Sequence, residues 1–286
     1  MSILEAILLG LLQGLTEFLP VSSSGHLAIF QNLFHIGEGV DEMFLFDILL
    51  HLGTLISIFA VFYKDIGKMI VEAFRMIGEF FINLVCLIKK QPRKRIIRTG
   101  YRKFVIMIII STIPTGIIAI LIKDTVKAAG ATLIMPGIFL LINAAMLFIA
   151  QTITAGNATP KEASYLHAAA IGVGQGFATL PGISRSGTTI TSALLCGFGK
   201  KFAIKYSFIM SIPAVLGACV LEIGDAVEAG VSFEISYLVG MLVAAVVGYL
   251  ALKLTMLVVK KRRYIYFSIY CAVIGLVAVV ASFFVK

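Results

Sequence analysis

Two short polar stretches interrupt an otherwise apolar sequence. The first, residues 13–26, reads QGLTEFLPVSSSGH. Gln13 and Glu17 are four residues apart, so their side chains share one face of a helix. His26 follows a run of three serines and a glycine. A carboxylate, an imidazole and hydroxyls in so short a stretch can supply a nucleophile, a base and a metal ligand.

The second polar stretch, residues 180–189, reads LPGISRSGTT. Its glycines and serines can point backbone N–H groups and hydroxyls into one concavity where a helix begins, and such arrangements bind phosphate. Arg185 is the only arginine between Arg102 and Arg262. A guanidinium grips a diphosphate with two parallel hydrogen bonds and offsets charge at phosphorus. The competing interpretation is close helix packing, which also favours glycine and serine in membranes.

The two stretches are copies of one pattern. At a constant offset of 162, the identical pairs are Gly10 and Gly172, Gln13 and Gln175, Gly14 and Gly176, Ser22 and Ser184, Ser24 and Ser186, and Gly25 and Gly187. Three predicted membrane spans lie between the copies, so the second copy enters from the opposite face. This pattern is typical of an inverted-topology repeat whose broken helices meet near the membrane midplane. We expect repeat halves of about 1–151 and 163–286, and one site built from both motifs.

Composition identifies the surroundings of these motifs as a membrane. Of 286 residues, 59% are hydrophobic and 14% are charged, and the mean hydropathy is +1.02. Apolar runs long enough to cross a bilayer predict six transmembrane helices at 44–63, 104–122, 132–151, 203–222, 235–258 and 265–285. Residues 1–34 and 165–198 are each broken by Gly, Pro and Ser, and we interpret them as re-entrant helical hairpins. The predicted fold class is therefore an all-α integral membrane protein.

Charge predicts the orientation. The net charge is +9, but the basic residues cluster at 89–103 and 259–264, next to apolar spans, as the positive-inside rule requires of cytoplasmic loops. A nucleic-acid partner is not indicated. Segments 35–43 and 222–234 are acidic and are expected outside. Residues 69–88 carry one polar stripe of Glu72, Arg75, Glu79 and Asn83, which predicts an amphipathic helix lying at the membrane interface.

The remaining chemically active side chains receive structural interpretations. All four cysteines lie in apolar context without a CxxC pair, which is typical of small buried hydrophobes. His51 lies four residues after Asp47, and this pair either faces the site or satisfies itself within the helix bundle; we favour the second. His35 and His167 have no predicted chemical role. The sequence contains no P-loop, GxGxxG or HExxH motif.

The motifs at residues 17–26 and 181–188 resemble those of the bacitracin-resistance family of undecaprenyl-diphosphate phosphatases, and the resemblance covers nearly the whole chain. It implies hydrolysis of a polyprenyl diphosphate to the monophosphate, which recycles the lipid carrier for peptidoglycan synthesis and confers bacitracin resistance. It also implies a divalent cation, Mg²⁺ or Ca²⁺, and a site open to the outer face of the bacterial plasma membrane. The oligomeric state is left open, with a homodimer as one alternative.

The resemblance also implies residue roles. Glu17 matches the second acid of the family's helix motif, and Gln13 stands where the first acid is often Glu. Gln13 is therefore a supporting residue, and Glu17 is the residue that can bind the cation with a negative charge. The implied catalytic residues are Glu17, Ser23, His26 and Arg185. The implied phosphate-binding residues are Ser22, Ser24, Ser184, Ser186, Gly187 and Thr188.

Two mechanisms and one rival function remain open at this point. Ser23, activated by His26 or Glu17, attacks the terminal phosphorus, or His26 positions an attacking water. Arg185 and the cation hold the diphosphate in both. The rival function is a transporter that moves a polyprenyl phosphate between leaflets through the same pocket, because inverted repeats with broken helices are a common transporter plan.

Overall fold

A computed structural model describes residues 1–34, 40–228, 234–260 and 263–284. Within these ranges every named secondary-structure element is an α-helix, which confirms the predicted all-α class. The helices are α1 (Ile3–Phe18), α2 (Ser23–Phe34), α3 (Val40–Ile88), α4 (Gly100–Leu121), α5 (Lys123–Gly130), α6 (Ile134–Thr152), α7 (Tyr165–Phe177), α8 (Arg185–Leu195), α9 (Lys200–Glu228), α10 (Ile235–Lys260) and α11 (Tyr264–Ala281). The short helix α5 was not predicted.

Six of these helices, α3, α4, α6, α9, α10 and α11, are long and apolar enough to cross a membrane. They coincide with the six predicted spans. Large apolar side chains such as Ile117, Leu250 and Val277 are more than half exposed on their outer faces. In a soluble protein such surfaces would be polar, whereas in a bilayer they face lipid. The chain is therefore a multi-pass membrane protein.

Helix α3 includes the predicted amphipathic segment 69–88. Its 49 residues contain one non-helical position, Phe62, where two helical parts join at a kink. The polar stripe beyond the kink contacts protein groups: Arg102 binds Glu72 at 2.5 Å and Glu79 at 2.7 Å, and Asn83 pairs with the backbone of Lys94. Our assignment of Arg102 to a loop was wrong, because it lies in the first turn of α4 and is buried. The interfacial location of 69–88 stays a prediction.

The four helices on either side of the two breaks, α1, α2, α7 and α8, are each too short to span a bilayer. Helix α1 has 16 residues and α8 has 11, which at 1.5 Å per residue gives lengths of about 24 Å and 16 Å. The hydrocarbon core is about 30 Å thick. Helix α1 contacts α2, and α7 contacts α8. The chain between the members of each pair is a break that ends on the first serine of one motif, Ser22 or Ser184.

The repeated glycines allow close helix packing in both halves. A Cβ added at Gly14 would lie 2.8 Å from Cβ of Val247 in α10, and one added at its counterpart Gly176 would lie 2.7 Å from Cβ of Ile118 in α4. Larger residues would push α1 off α10 and α7 off α4. The packing interpretation is therefore correct for these two glycines, which leaves the serines, Glu17 and Arg185 to be explained by the site.

Candidate functional site

The two breaks meet. The hydroxyl of Ser22 accepts a hydrogen bond of 3.1 Å from the backbone N–H of Gly182. A Cβ added at Gly25 would lie 2.7 Å from Cα of Gly182, and one added at Gly187 would lie 3.3 Å from Cβ of Pro20. Glycine is required at residue 25 because two backbones approach there. The two motifs are thus in direct contact, as a single site built from both would require.

Asn143 in the middle of α6 joins the two breaks. Its amide nitrogen donates to the carbonyl oxygen of Pro20 at 3.1 Å, and its amide oxygen accepts from the backbone N–H of Ser184 at 3.1 Å. The side chain is fully buried. Sequence reasoning missed this residue. Its one signal was an amide within an apolar span, where polar groups are costly unless they are paired.

The carboxylate of Glu17 lies at the centre of the site. Oε1 is hydrogen-bonded and ion-paired with Arg185. Oε2 accepts a 2.5 Å hydrogen bond from the Ser23 hydroxyl and a 3.1 Å bond from Nε2 of Gln13. The carboxylate is almost fully buried, with 3% of the side chain exposed. The structure thus brings Glu17, Ser23, Arg185 and Gln13 together, as the motifs predicted.

His51 lies beside this carboxylate. Nε2 of Gln13 donates to Nδ1 of His51 at 3.0 Å, and this ring nitrogen is 3.8 Å from Oε2 of Glu17. The interpretation that we favoured, a His51–Asp47 pair satisfied within the bundle, was therefore wrong. The i, i+4 spacing put both residues on one helix face, but only tertiary packing determines which helix that face meets.

His26 is directed away from Ser23. Nδ1 lies 2.7 Å from the carbonyl oxygen of Ser22, and Nε2 lies 2.9 Å from the hydroxyl of Tyr270. The two rings are stacked, with centroids 5.5 Å apart. A carbonyl oxygen only accepts, so Nδ1 carries the proton and the neutral ring accepts at Nε2 from Tyr270. In this arrangement His26 has no free lone pair for the Ser23 proton. Tyr270, in α11, was not predicted.

The predicted phosphate-binding residues surround two helix starts. Ser184 caps α8 by accepting from Gly187 N–H at 3.1 Å, and Ser22 accepts from Gly25 N–H at 3.2 Å at the start of α2. These bonds correspond at the repeat offset, as do the close hydroxyl pairs Ser184–Ser186 and Ser22–Ser24. Thr188 is buried, and its hydroxyl donates to the Ser184 carbonyl. The offset therefore reflects matched local structure.

Both helix starts retain N–H groups without an internal partner. The first residues of a helix have no carbonyl four positions earlier to bind. In the described part of the chain, the N–H groups of Ser23 and Ser24 in α2, and of Arg185 and Ser186 in α8, have no hydrogen-bond acceptor. Such groups favour anions. Ser22 has a φ of +68°, a left-handed conformation that is uncommon outside glycine and often found at functional sites.

The donor set fits an oxygen-coordinated cation shared with substrate. The described residues contain no cluster of three His, Cys, Asp or Glu side chains. Glu17 supplies a carboxylate, and the buried Oε1 of Gln13 has no hydrogen-bond partner in the described structure. Mg²⁺ is bound by oxygen, typically through one or two carboxylates plus substrate phosphates. Glu17 and Gln13 are therefore the residues that would hold the expected divalent cation.

The other histidines and the cysteines lie apart from this constellation. His167 packs against Phe198, and His35 lies outside the described residues. Cys219 and Cys271 are buried as predicted, whereas Cys86 and Cys196 are only partly buried. Cys271 does contact the site's framework, since its sulfur lies 3.4 Å from the amide nitrogen of Asn143.

Known proteins match over the whole length of the chain. It is 38% identical over 284 residues to a protein of Methanosphaera stadtmanae and 40% identical over 284 residues to one of Alkaliphilus metalliredigens, each match covering 99% of both chains. A protein of Treponema denticola is 41% identical over 278 residues, covering 96% of both. All three are named undecaprenyl-diphosphatase. A family model described as bacitracin resistance protein BacA matches residues 6–277. The chain therefore belongs to the BacA family of bacitracin resistance proteins.

Proposed function

We propose that this protein hydrolyses undecaprenyl diphosphate to the monophosphate and inorganic phosphate. The observation that carries the proposal is the 2.5 Å hydrogen bond from Ser23 to Glu17, beside Arg185 and two helix starts with free N–H groups. A hydroxyl, its base and an anion-binding surface are the parts that phosphoryl transfer needs. The activity named for its relatives supports the same substrate.

The proposed reaction begins with an exchange of partners at Arg185. The terminal phosphate takes over the guanidinium, which then releases Oε1 of Glu17. Glu17 accepts the Ser23 proton as Oγ forms a bond to the terminal phosphorus, and the P–O bond to the lipid monophosphate breaks. Glu17 then passes this proton to the departing lipid monophosphate. Water hydrolyses the phosphoserine: Glu17 takes a proton from the water as its oxygen bonds to phosphorus, and returns that proton to Oγ of Ser23 as the P–O bond to the serine breaks. Fixed N–H groups of α2 and α8 stabilise the developing charge at no cost of reorganisation.

A divalent cation held by Glu17 and Gln13 would neutralise charge on the diphosphate oxygens. His26 positions the start of α2, where Ser23 lies, since its ring binds the Ser22 carbonyl. The alternative in which His26 orients an attacking water predicts no phosphoserine. Rapid-quench experiments with substrate labelled in the terminal phosphate distinguish the two, because only the serine route transfers label to Ser23.

We further propose that α1–α2 and α7–α8 are re-entrant hairpins in an inverted-topology repeat. Their lengths, below the thickness of the hydrocarbon core, and the matched bonds at Ser22 and Ser184 support this arrangement. Irregular backbone at membrane depth is tolerated where protein satisfies it, and Asn143 does so here. The basic loops are assigned to the cytoplasm, and the site is proposed to open to the outer face. Hydrolysis there would recycle the lipid carrier for cell-wall synthesis and confer bacitracin resistance.

The decisive experiment measures inorganic phosphate release by detergent-solubilised protein from undecaprenyl diphosphate with Mg²⁺ or Ca²⁺. Arg185→Ala and His26→Ala should each reduce turnover by about 10² or more. Thr16→Val is the matched control, since among the described residues the Thr16 hydroxyl bonds only to the Leu12 carbonyl of its own helix. Near-normal turnover in both variants would refute this site. Binding of the lipid without phosphate release would instead favour the transporter.

A further inference from the structure

A cavity lined by cationic side chains lies at the basic end of the molecule. A cavity of about 1040 Å³ opens between the segment 93–98 and the first turns of α4 and α7. None of the residues that line it belongs to the candidate functional site. Its wall contains six cationic side chains and no carboxylate: Arg93, Lys94, Arg95, Arg98, Lys103 and Lys161.

The wall is held in place by hydrogen bonds that leave most of these cationic side chains without a carboxylate partner among the described residues. Asn83 makes two bonds to the backbone of Lys94, at 2.7 and 2.9 Å, and Arg102 donates to the carbonyl of Ile96 at 2.6 Å. Arg98 pairs with Glu79 at 3.3 Å. In the described structure, the charged ends of Arg93, Arg95 and Lys161 have no carboxylate partner. The positive-inside rule explains basic residues in this loop but not their convergence on a fixed cavity.

The position of the cavity points to a membrane lipid. Helix α4 begins its span at Gly100, so the cavity lies at the level of the headgroups. Tyr165, an aromatic residue of the type enriched at the interface, lines it with Ile96 and Ile97, and Lys103 lies over the Tyr165 ring at 5.5 Å. The neighbouring Leu166 is 75% exposed. The volume matches the upper end of the range of about 300–1,000 Å³ for ligand pockets, which is far more than a bare phosphate ion fills.

We propose that this cavity binds the phosphate-bearing headgroup of an anionic glycerophospholipid in the leaflet at the basic face. The cations pair with the phosphate diester, the interfacial wall contacts the glycerol, and the acyl chains leave along the apolar surface near Leu166. Basic pockets between transmembrane helices on the cytoplasmic side bind lipid headgroups in this way.

The test compares two pairs of lysines in the same basic region. Lys94 and Lys161 line the cavity, whereas Lys89 and Lys90 are exposed and do not. Full-length Lys94→Gln/Lys161→Gln, Lys89→Gln/Lys90→Gln and wild-type proteins are titrated in neutral detergent with phosphatidylglycerol, phosphatidylcholine or inorganic phosphate. Bound species are counted by native mass spectrometry, and the helical circular dichroism of each variant verifies folding.

We expect phosphatidylglycerol to bind the wild type and the Lys89/Lys90 variant equally. The Lys94/Lys161 variant should bind it about tenfold more weakly or worse, since it loses two of the cations that line the cavity, whereas Lys89 and Lys90 do not line it. Phosphatidylcholine should bind all three weakly. Equal weakening in both variants, or none in either, would overturn the site. Inorganic phosphate binding as tightly as the lipid, with the same dependence on Lys94 and Lys161, would assign the cavity to a soluble anion and overturn the lipid assignment.

Discussion

The hydroxyl of Ser23 donates a 2.5 Å hydrogen bond to Oε2 of Glu17, and this carboxylate is buried. Its other oxygen is paired with a cation from the opposite half of the chain. Nucleophile and base are thus preassembled across the first break, with Glu17 at the end of α1 and Ser23 at the start of α2. The second motif supplies Arg185, whose positive charge favours the ionised form of Glu17. In the proposed reaction, the substrate phosphate replaces Glu17 as the partner of Arg185.

The Ser23–Glu17 pair should behave as a unit. Ser23→Ala removes the proposed nucleophile and Glu17→Gln removes the charge that accepts its proton, so each should reduce turnover by about 10² to 10⁴. The double variant should lose little more than the worse single variant, because groups that act in one step are not additive. Initial rates of phosphate release measure this cycle. Multiplying losses in the double variant would contradict the assignment of one shared step.

Arg185→Lys should separate charge from geometry. Lysine keeps the positive charge but loses the planar fork that binds two phosphate oxygens at once. We expect kcat/KM to fall by about tenfold to a hundredfold, with a smaller loss than in Arg185→Ala. Steady-state kinetics over a range of substrate concentrations give the comparison. If Lys and Ala variants were equally impaired, charge at this position would contribute nothing by itself.

Asn143→Ala should affect both stability and turnover. It leaves the buried Ser184 N–H without its partner, which costs about 1–3 kcal/mol, and leaves the Pro20 carbonyl, among the described residues, with only the 3.9 Å contact from the Cys271 sulfur. Both breaks should then move, so phosphate release should fall although Asn143 is not expected to contact substrate.

A matched control is available at Asn32, whose amide also bridges two carbonyls, those of Ala28 and Gly130. Asn32→Ala should lower thermal stability in detergent with little effect on turnover. Equal ratios of turnover loss to stability loss in the two variants would show that Asn143 has no special role at the site.

Gly25→Ala should separate the two breaks. Its new methyl group would lie 2.7 Å from Cα and 2.8 Å from the backbone N of Gly182, and backbone cannot rotate away as a side chain can. We expect a loss of phosphate release of at least about tenfold, because small misplacements of reacting groups are costly. In Gly116→Ala the added methyl has nothing within 4 Å, and activity should be retained. Full activity of Gly25→Ala would mean that the contact is not needed.

Much of the architecture was predictable because it depends on local chemistry. The six spans follow from the length and hydrophobicity of continuous segments, because each helix must by itself be long and apolar enough to cross the bilayer. The pairing of the two motifs followed from the constant offset between Gln13, Ser22 and their counterparts. Arg102 was misassigned because a basic residue near a loop has a ready explanation in topology. Only the carboxylates of Glu72 and Glu79, some 20 to 30 residues away, place it inside the fold.

Within the site, sequence identified the residues that have chemistry of their own and missed those that act by position. Asn143 and Tyr270 belong to no motif, and each lies more than 100 residues from its partner in the first motif. The pair of His51 and Asp47 had two plausible placements, facing the site or satisfied within the helix bundle, and we favoured the second. The choice depended on how α3 packs against α1, which spacing along a single helix does not encode.

The sequence alone determined the membrane class, the two motifs and the residue types that could handle phosphate, since these depend on composition and short spacings. Only the tertiary structure decided which base holds Ser23. The motif offered Glu17 and His26 equally, six residues before the serine and three after it. In the folded protein, His26 is hydrogen-bonded to Tyr270 and to the Ser22 carbonyl, and Ser23 is hydrogen-bonded to Glu17. A hydrogen bond needs both distance and direction. Both depend on α11, which is distant in sequence, and on the path of the chain through Pro20, which short spacings do not encode.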